Sequence, residues 1–486
     1  MKSRAAIAEG LLHSTGAATL AQVVRILAIF ATHLVLRRMV PRADWGLWNW
    51  AEPVFIALAA VRDLGVPSHV VRRRPLPLGN LLAVEGLWGG ALAGLIALAA
   101  PWIAHLFATP RPDVALVIRV LAISLFLEGI ASVPTTYFEA ELAIRRALGA
   151  ELARTATYCG TALLLGWLEY GVWTFVGAQL ASQVVYFVWL WLRARGTIRL
   201  HWARGETAEL VRASLPLGGV WLLGYATSYA DAFILGWLFT DTDLGGYWLA
   251  YVNAYLVARS LQPPIGRSLY PAFVAFRDRP EEHFRAYRLG TILLLAIEVP
   301  AALFLAVNAG LAVRVLGGAQ YLDSAGLLVW LAFVPLVDPL GRFGGEYLIA
   351  IHRERERVLS ILANLVVLVV AGFLLARRFG PIGMAWANFL PAGALVVVWT
   401  LARVSRSGLR RLFVDLAWTY ATPLPLFAVA WLAGREHAGW RLGLSIAAGL
   451  AALALFWRRF GGEFRDFFAR ASAVEAVAVP PPIAPQ

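Results

Sequence analysis

Cysteine, lysine and histidine are scarce in this sequence, and their scarcity excludes several kinds of site. Cys159 is the single cysteine among 486 residues, so an internal disulfide and a multi-cysteine zinc or iron–sulfur centre are excluded. The 8 histidines are dispersed and form no His-x-x-x-His pair. We therefore expect no metal site and no cofactor. Lys2 is the only lysine, so arginine supplies nearly all of the positive charge.

Charge of either sign is also sparse. Charged residues make up 15% of the chain, whereas a soluble protein carries about 25%. Hydrophobic residues make up 60%, and the mean hydropathy is +0.67. This balance predicts an all-α polytopic membrane protein and argues against a soluble enzyme.

Apolar stretches long enough to cross a bilayer recur along the whole chain. Segments of roughly 18 to 25 apolar residues are typical of transmembrane helices. On this basis we predict about 14 spans, at 12–36, 45–61, 80–107, 114–136, 154–169, 171–192, 213–238, 246–266, 289–309, 324–349, 358–376, 382–402, 413–433 and 441–457.

The distribution of arginine predicts the orientation of these spans. With the N-terminus placed inside, 30 of the 43 basic residues fall on the inner side and 9 on the outer side. Such an excess in short loops indicates cytoplasmic loops, so we expect both termini in the cytoplasm and the protein in the bacterial inner membrane. Because the charge is spread over many loops and forms no single patch, nucleic acid is not an expected partner.

A weak internal repeat predicts the domain organisation. A shift of 199 residues aligns Asp44 with Asp243 and Gly46 with Gly245, and a shift of 209 aligns Gly171 with Gly380. Repeated halves are common in transporters. We predict two six-helix lobes related by a parallel repeat and followed by a helix pair and a tail, with boundaries 1–205, 206–405, 406–457 and 458–486. The last segment predicts an interfacial anchor on the cytoplasmic leaflet, followed by a disordered tail at 473–486. The anchor would be a short helix that carries arginines and has one side formed by Phe460, Phe464, Phe467 and Phe468.

Four segments resemble a known family: GLLHSTGAATLAQVVRILAIF, VPRADWGLWNWAEP, AVRDLGVPSHVVRRR and RRFGPIGMAWAN. With them the chain resembles the polysaccharide or O-antigen flippases of the multidrug/oligosaccharidyl-lipid/polysaccharide exporter superfamily. The resemblance implies two six-helix lobes around a central cavity. It also implies transport of undecaprenyl-diphosphate-linked oligosaccharide from the cytoplasmic to the periplasmic leaflet, for O-antigen, capsule or exopolysaccharide. A polysaccharide polymerase or other assembly proteins are the implied partners, together with membrane lipids.

Polar residues inside the predicted spans are the candidate site residues, because charge in a membrane is costly unless it has a function. Gln22, Arg25 and His33 lie on the polar side of the first span. We predict that they contact the diphosphate or sugar, with Arg25 at the centre. The alternative is that Arg25 pairs with a carboxylate of a neighbouring helix for packing alone.

The second half supplies further candidates. Tyr255 and Arg259 lie on one stripe of the eighth span and suit a sugar diphosphate, although Arg259 is also placed to extend to the membrane surface. Asp231 and Glu298 are acids within the seventh and ninth spans, and we predict that they bind a coupling proton or cation. Small polar residues that merely join helices are the alternative for Asp231.

Three other functions remain open at the level of sequence. A lipid II flippase also has 14 spans and a basic cavity, and a cation-coupled multidrug exporter of the same superfamily has 12 spans with acidic sites. A membrane polysaccharide polymerase or ligase is the third, but such enzymes carry a large outer loop, whereas the loops here are short. We therefore expect a transporter and not an enzyme.

Overall fold

A computed structural model describes residues 4–71, 76–105, 113–141, 144–198, 202–262, 265–266, 276, 279–434 and 437–478. Every regular element among these residues is helical. The chain divides into two compact units, Met1–Gly245 and Gly246–Gln486. The disordered tail was predicted to begin at residue 473, but residues 473–478 continue the last helix, Ala438–Ala478, and residues 479–486 lie outside the described part.

The first unit contains eight helices and the start of a ninth. They are α1 (Arg4–Met39), α2 (Arg42–Asp63), α3 (Val66–Val70), α4 (Leu78–Ala104), α5 (Val114–Ala140), α6 (Ile144–Trp167), α7 (Trp173–Ala194), α8 (Arg204–Leu238) and α9 (Asp241–Ala254).

The second unit begins within α9 and continues through a helical segment at 256–262. Its further α-helices are α10 (Pro280–Val307), α11 (Ala309–Gly317), α12 (Ala325–Leu331), α13 (Asp338–Ala350), α14 (Glu354–Phe379), α15 (Pro381–Asn388), α16 (Ala392–Val404), α17 (Arg406–Ala421), α18 (Pro423–Ala433) and α19 (Ala438–Ala478). Two short 3₁₀ helices, Ala319–Ser324 and Val334–Leu336, flank α12.

Within the described residues each of the 14 predicted spans falls on helical structure, which forms one helix or several consecutive helices. Within the described part, 9 helical segments are long and apolar enough to cross a membrane, so the chain is a multi-pass membrane protein. The helices α1, α2, α6, α8 and α9 are not among the 9. The all-α membrane fold is thus confirmed, while the number 14 stays a prediction.

In the first unit the most extensive packing joins α6 to α7, α4 to α5, α5 to α7 and α1 to α6, and α2 packs along α8. Trp45 and Trp48 of α2 are buried in this bundle, where both rings contact Phe175 at centroid distances of 4.4 and 5.5 Å. Tryptophan at the end of a span is typical of the membrane interface. These two instead fill the interior, because the neighbouring helices cover them.

The glycines aligned by the repeat occupy equivalent structural roles. A methyl group at Gly46 would lie 1.7 Å from the Asp241 carbonyl oxygen, and one at Gly245 would lie 2.6 Å from the Arg42 carbonyl oxygen. The first turns of α2 and α9 therefore cross at backbone contact, which only residues without a side chain permit. Gly171 and Gly380, the other aligned pair, both adopt the left-handed conformation, with φ of +58° and +70°, at the starts of α7 and α15.

The second unit is built around α10, which packs against α13, α17, α18 and α19. Phe460, Phe464 and Phe467 of α19 are at most 3% exposed and belong to this core, where Phe467 contacts Phe276 and Phe460 contacts Trp418. The prediction that they form an interfacial anchor was wrong. The same spacing that produces an amphipathic helix also directs one face of a helix toward a protein core.

Candidate functional site

The first unit encloses a cavity of about 570 Å³. Six helices supply its polar lining, with Glu52, Arg62 and Asp63 from α2, Ser68 from α3, Glu128 from α5, Arg154 from α6, Gln179 from α7, and Tyr225 and Tyr229 from α8. Charged groups around a cavity inside apolar helices are expensive to maintain, so such a cavity is a functional candidate.

The end of α2 brings two charged residues of opposite sign to this cavity. The helix ends at Asp63 because Leu64 and Gly65 adopt left-handed conformations, with φ of 50° and 75°. The Gly65 amide donates a hydrogen bond of 3.0 Å to Asp63 Oδ1, which stabilises the turn. Arg62 and Asp63 are thereby held in the last helical turn, beside the cavity.

Arg62 is paired with a fully buried acid, Glu85 of α4. Arg62 Nε lies 3.3 Å from Glu85 Oε2, and Arg62 Nη1 donates a 2.9 Å hydrogen bond to the Leu125 carbonyl of α5. Gly129 leaves room for the pair, since a methyl group there would lie 2.6 Å from Glu85 Oε2. The ion-pair partner of Arg62 is thus an acid of another helix, 23 residues further along the chain.

Arg154 provides the second guanidinium of the cavity. Its Cζ lies 5.1 Å from the centre of the Tyr186 ring, a cation–π contact. The Tyr186 hydroxyl in turn lies 3.2 Å from Thr135 Oγ1. The stacked rings of Tyr225 and Tyr229 belong to the same cavity, so cations and aromatic faces are presented together.

The three candidates on α1 are not among the residues that line this cavity. Arg25 Nη1 donates a 2.7 Å hydrogen bond to Glu151 Oε2 of α6, which matches the packing alternative considered for this arginine. His33 Nε2 lies 3.1 Å from the Tyr158 hydroxyl, and its ring meets the edge of Trp45. Gln22 is exposed.

Arg259 and Tyr255 lie together in the second unit. The Arg259 guanidinium faces the rings of Tyr251 and Tyr255 at 5.5 and 5.8 Å, and the two rings are 4.6 Å apart. Arg259 also interacts electrostatically with Asp338, which is close to Arg342. The guanidinium is thus held between aromatic faces and an acid.

The predicted ion-coupling acids are both buried, but their surroundings differ. Asp231 Oδ1 accepts a 2.9 Å hydrogen bond from the Ala232 amide. Glu298 is 3% exposed, and neither of its carboxylate oxygens has a hydrogen-bond partner among the described residues. Asp338 and Gln262 are the polar groups that act on Glu298.

Sequence reasoning missed Glu85 and Arg154. Glu85 is the single charged residue in LGNLLAVEGLWGGALAGLIALAAPWIA, the segment that forms α4, so its isolation was a readable signal. Arg154 lies at the predicted edge of a span and was counted with the cytoplasmic loops. A position near the end of a span cannot by itself separate an arginine of the membrane surface from one directed into a cavity.

Comparison with known proteins gives a family match over more than half of the chain. Residues 35–326 match the family described as "Polysaccharide biosynthesis protein". The match includes α2 to α8 and therefore every residue that lines the cavity. No curated protein matches the chain.

Several solved membrane transporters share the fold. The lipid II flippase MurJ, in an inward closed conformation, is similar with a TM-score of 0.69 and 12% identity, over 90% of this chain and 99% of that chain. An inward-facing multidrug resistance transporter of the MATE family has a TM-score of 0.63 and 18% identity, over 80% of this chain and 96% of that one.

A transporter of the MOP superfamily from Pyrococcus furiosus, whose binding pocket is described as having reverse polarity, is also similar. Its TM-score is 0.51 and its identity 17%, over 81% of this chain and 93% of that chain. At these identities the likeness concerns the fold.

Proposed function

Because the chain belongs to the polysaccharide biosynthesis protein family, we propose that it is a flippase that moves diphosphate-linked oligosaccharide lipids across the bacterial inner membrane. The substrate would be an undecaprenyl-diphosphate-linked oligosaccharide that travels from the cytoplasmic to the periplasmic leaflet. Its glycan would serve a surface polysaccharide such as O-antigen, capsule or exopolysaccharide. The protein would thus act as a transporter and not as an enzyme.

The observation that carries this proposal is the mixed lining of the cavity in the first unit. Arg62 and Arg154 offer guanidinium groups, which match phosphate oxygens in a bidentate manner that an ammonium group does not reproduce. Glu52, Gln179 and the two tyrosines offer acceptors, donors and ring faces that suit sugar hydroxyls and sugar rings. A sugar diphosphate needs both kinds of group.

The alternatives within the superfamily differ in the ligand that this lining would favour. A cation-coupled multidrug exporter is expected to have acidic cavity sites without a cationic lining, whereas this cavity presents Arg62 and Arg154 together with its acids. A lipid II flippase would use the same diphosphate chemistry, so the fold does not separate it from an oligosaccharide flippase. The family match to polysaccharide biosynthesis favours the oligosaccharide.

The remaining site residues enter the proposal as additional contacts along the transport path. Arg25, Gln22 and His33 would meet the headgroup from α1. Arg259 and Tyr255 would meet it from the second half, where the guanidinium lies against two tyrosine rings. Asp231 and Glu298 would bind a coupling ion, since both are buried acids in helices that cross the membrane or lie within the bundle.

The proposal includes the topology and the partners. The proposed topology has about 14 spans and both termini in the cytoplasm. It includes two six-helix lobes, residues 1–205 and 206–405. Membrane lipids surround the protein, and a polysaccharide polymerase or another assembly protein would receive the product. The excess of arginine in the inner segments supports this orientation.

A reconstituted transport assay tests the function. The purified protein is placed in liposomes with a fluorescent farnesyl diphosphate, and the fraction of probe accessible to an external quencher is followed with time. We expect the probe to cross the bilayer at a rate that rises with protein content. A fluorescent phosphatidylcholine should not cross, because it lacks the diphosphate.

Two arginine variants connect this assay to the cavity. Arg154→Gln should lower the rate of probe movement at least tenfold, since a hydrogen bond to a charged group is worth about 1.5–3 kcal/mol. Arg119→Gln is the matched control, because Arg119 is an exposed arginine on α5 that donates to the Ala97 carbonyl. Equal rates for wild type and Arg154→Gln would contradict the proposed site.

A further inference from the structure

Glu85 is an acid whose charge depends on one neighbour. Its side chain is fully buried in α4, and among the described residues neither carboxylate oxygen has a hydrogen-bond donor within bonding geometry. Arg62, with Nε at 3.3 Å, is the cation beside it. A buried carboxylate without a compensating cation is strongly destabilised and takes up a proton instead.

The other groups that face Glu85 do not compensate its negative charge. Asp63 from α2 and Glu128 from α5 act on Glu85 as like charges, and the Ser132 hydroxyl of α5 is the neutral polar group nearby. The helices α3 and α8 also pack against α4, but in the described part they direct no charged group at Glu85. Glu85 and Asp63 therefore share Arg62 as their neighbouring cation.

Arg62 is at the same time a cavity residue. It lines the 570 Å³ cavity, and its Nε makes no hydrogen bond despite its distance of 3.3 Å from Glu85. The pair is thus held by charge and not by a well-directed hydrogen bond. An anion that entered the cavity would compete with Glu85 for the guanidinium, and bidentate phosphate binding is the stronger interaction.

We propose that Arg62 exchanges partners during transport, binding Glu85 when the cavity holds no anion and the diphosphate when it does, and that Glu85 takes up one proton at the exchange. The proton comes from water in the cavity and forms the O–H bond of the Glu85 carboxyl group. It is released when the diphosphate leaves and Arg62 returns. This inference rests on the proposed function and identifies Glu85 as the group whose protonation is linked to binding of the diphosphate.

Proton uptake on ligand binding tests the exchange directly. Farnesyl diphosphate is added to the purified, detergent-solubilised protein in a weakly buffered solution that contains a pH indicator. The wild type should take up about one proton more per bound probe than Glu85→Gln does, because only Glu85 changes its partner. Protonation of the probe itself contributes equally to both proteins and cancels in the difference.

The pH dependence of the affinity shows whether binding takes up or releases a proton. Because binding takes up a proton, the wild type should bind farnesyl diphosphate more tightly as the pH falls, by up to about tenfold for each pH unit relative to Glu85→Gln. Glu139→Gln is the matched control, since Glu139 is an exposed acid on α5. It should retain the wild-type proton uptake and the wild-type pH dependence.

A measurement on the wild type alone covers the case in which Glu85→Gln does not fold. Infrared difference spectra should show the carbonyl band of a newly protonated carboxyl group when farnesyl diphosphate binds. Binding without this band, or equal proton uptake by wild type and Glu85→Gln, overturns the exchange and leaves the flippase proposal standing. Failure of the wild type to bind the probe overturns both.

Discussion

An arginine in a membrane protein is informative only once its partner is known. Arg62 and Arg25 both form ion pairs with a glutamate, yet the two pairs differ in burial. The side chains of Arg62 and Glu85 are 5% and 0% exposed, whereas those of Arg25 and Glu151 are 33% and 29% exposed. Removing one member of a buried pair leaves an uncompensated charge and costs about 3–5 kcal/mol. Removing one member of a partly exposed pair costs much less, about 1 kcal/mol or below.

This difference yields a prediction for Arg25. If Arg25 contacts the substrate, Arg25→Ala should abolish surface polysaccharide at a normal protein level in the membrane, and Arg25→Lys should restore part of it. Glu151→Gln serves as the control, because it breaks the same ion pair and keeps the arginine. Surface polysaccharide and membrane protein are measured in the same cells. Equal loss of export in Arg25→Ala and Glu151→Gln would assign Arg25 a packing role.

At the scale of the helices, two features depend on close packing. One is the crossing of α2 and α9 at Gly46 and Gly245, where backbone meets backbone. The other is the phenylalanine face of α19, which fills the core of the second unit. The helix α19 has 41 residues and a length of roughly 60 Å at 1.5 Å per residue, about twice the thickness of the hydrocarbon layer. Its final turns therefore extend beyond the bilayer.

The glycine crossing predicts a large effect of a single methyl group. Gly46→Ala should destabilise the protein by several kcal/mol, because the new carbon would lie 1.7 Å from the Asp241 carbonyl oxygen and the backbone must move. Gly224→Ala on α8 is the matched control, since no atom lies within 4 Å of the added carbon. The melting temperatures of the two variants are compared, with size-exclusion chromatography measuring the folded protein that remains after heating. An unchanged melting temperature for Gly46→Ala would contradict the crossing.

The phenylalanine face gives a second prediction at this scale. Phe464→Ala should cost about 3–5 kcal/mol, as expected for a large core side chain that is 3% exposed. Phe413→Ala on α17 removes a side chain that is 47% exposed and should change the melting temperature little. Denaturation of both variants in detergent measures the difference. Similarly small losses of stability for the two variants would contradict the core position of Phe464 and favour a position at the membrane interface.

At the scale of the whole molecule, the distribution of arginine and the helical segmentation support the same topology. The segments with most arginine alternate with segments that have few, as the positive-inside rule requires. Among the described residues each predicted span has a helical counterpart, including those of α1, α2, α6, α8 and α9, which are not among the nine segments long and apolar enough to cross a membrane. Polar residues in these helices fit the role of lining helices, which need not be apolar on all sides.

Reporter fusions test this topology. Fusions after Arg204 and after Arg406 should report a cytoplasmic location, and a fusion at Thr242 should report a periplasmic one. Arg204 is the first residue of α8, Arg406 is the first residue of α17, and Thr242 lies in the first turn of α9. A periplasmic signal at Arg204 would show that the number of spans before α8 is odd, and the parallel repeat would then be wrong.

Composition and the spacing of apolar residues were sufficient to predict the all-α membrane fold and the helical segments, whereas the family came from the resemblance of four segments to known flippases. The reason is that the bilayer requires every spanning segment to be apolar, long and internally hydrogen-bonded, so each leaves a local signal in the chain. The glycines of the repeat were also readable, because backbone contact at Gly46 and a left-handed φ at Gly171 favour the residue without a side chain.

Only the tertiary structure decided which charges meet. The partners of Arg62 and Arg25 lie 23 and 126 residues away on other helices, at Glu85 and Glu151. Periodicity places a side chain on one face of its own helix but does not determine which neighbour covers that face. For the same reason the phenylalanines of α19 were assigned to the membrane surface, although the second unit buries them. Amphipathicity is a property of one helix, whereas burial and ion pairing are properties of the assembled bundle.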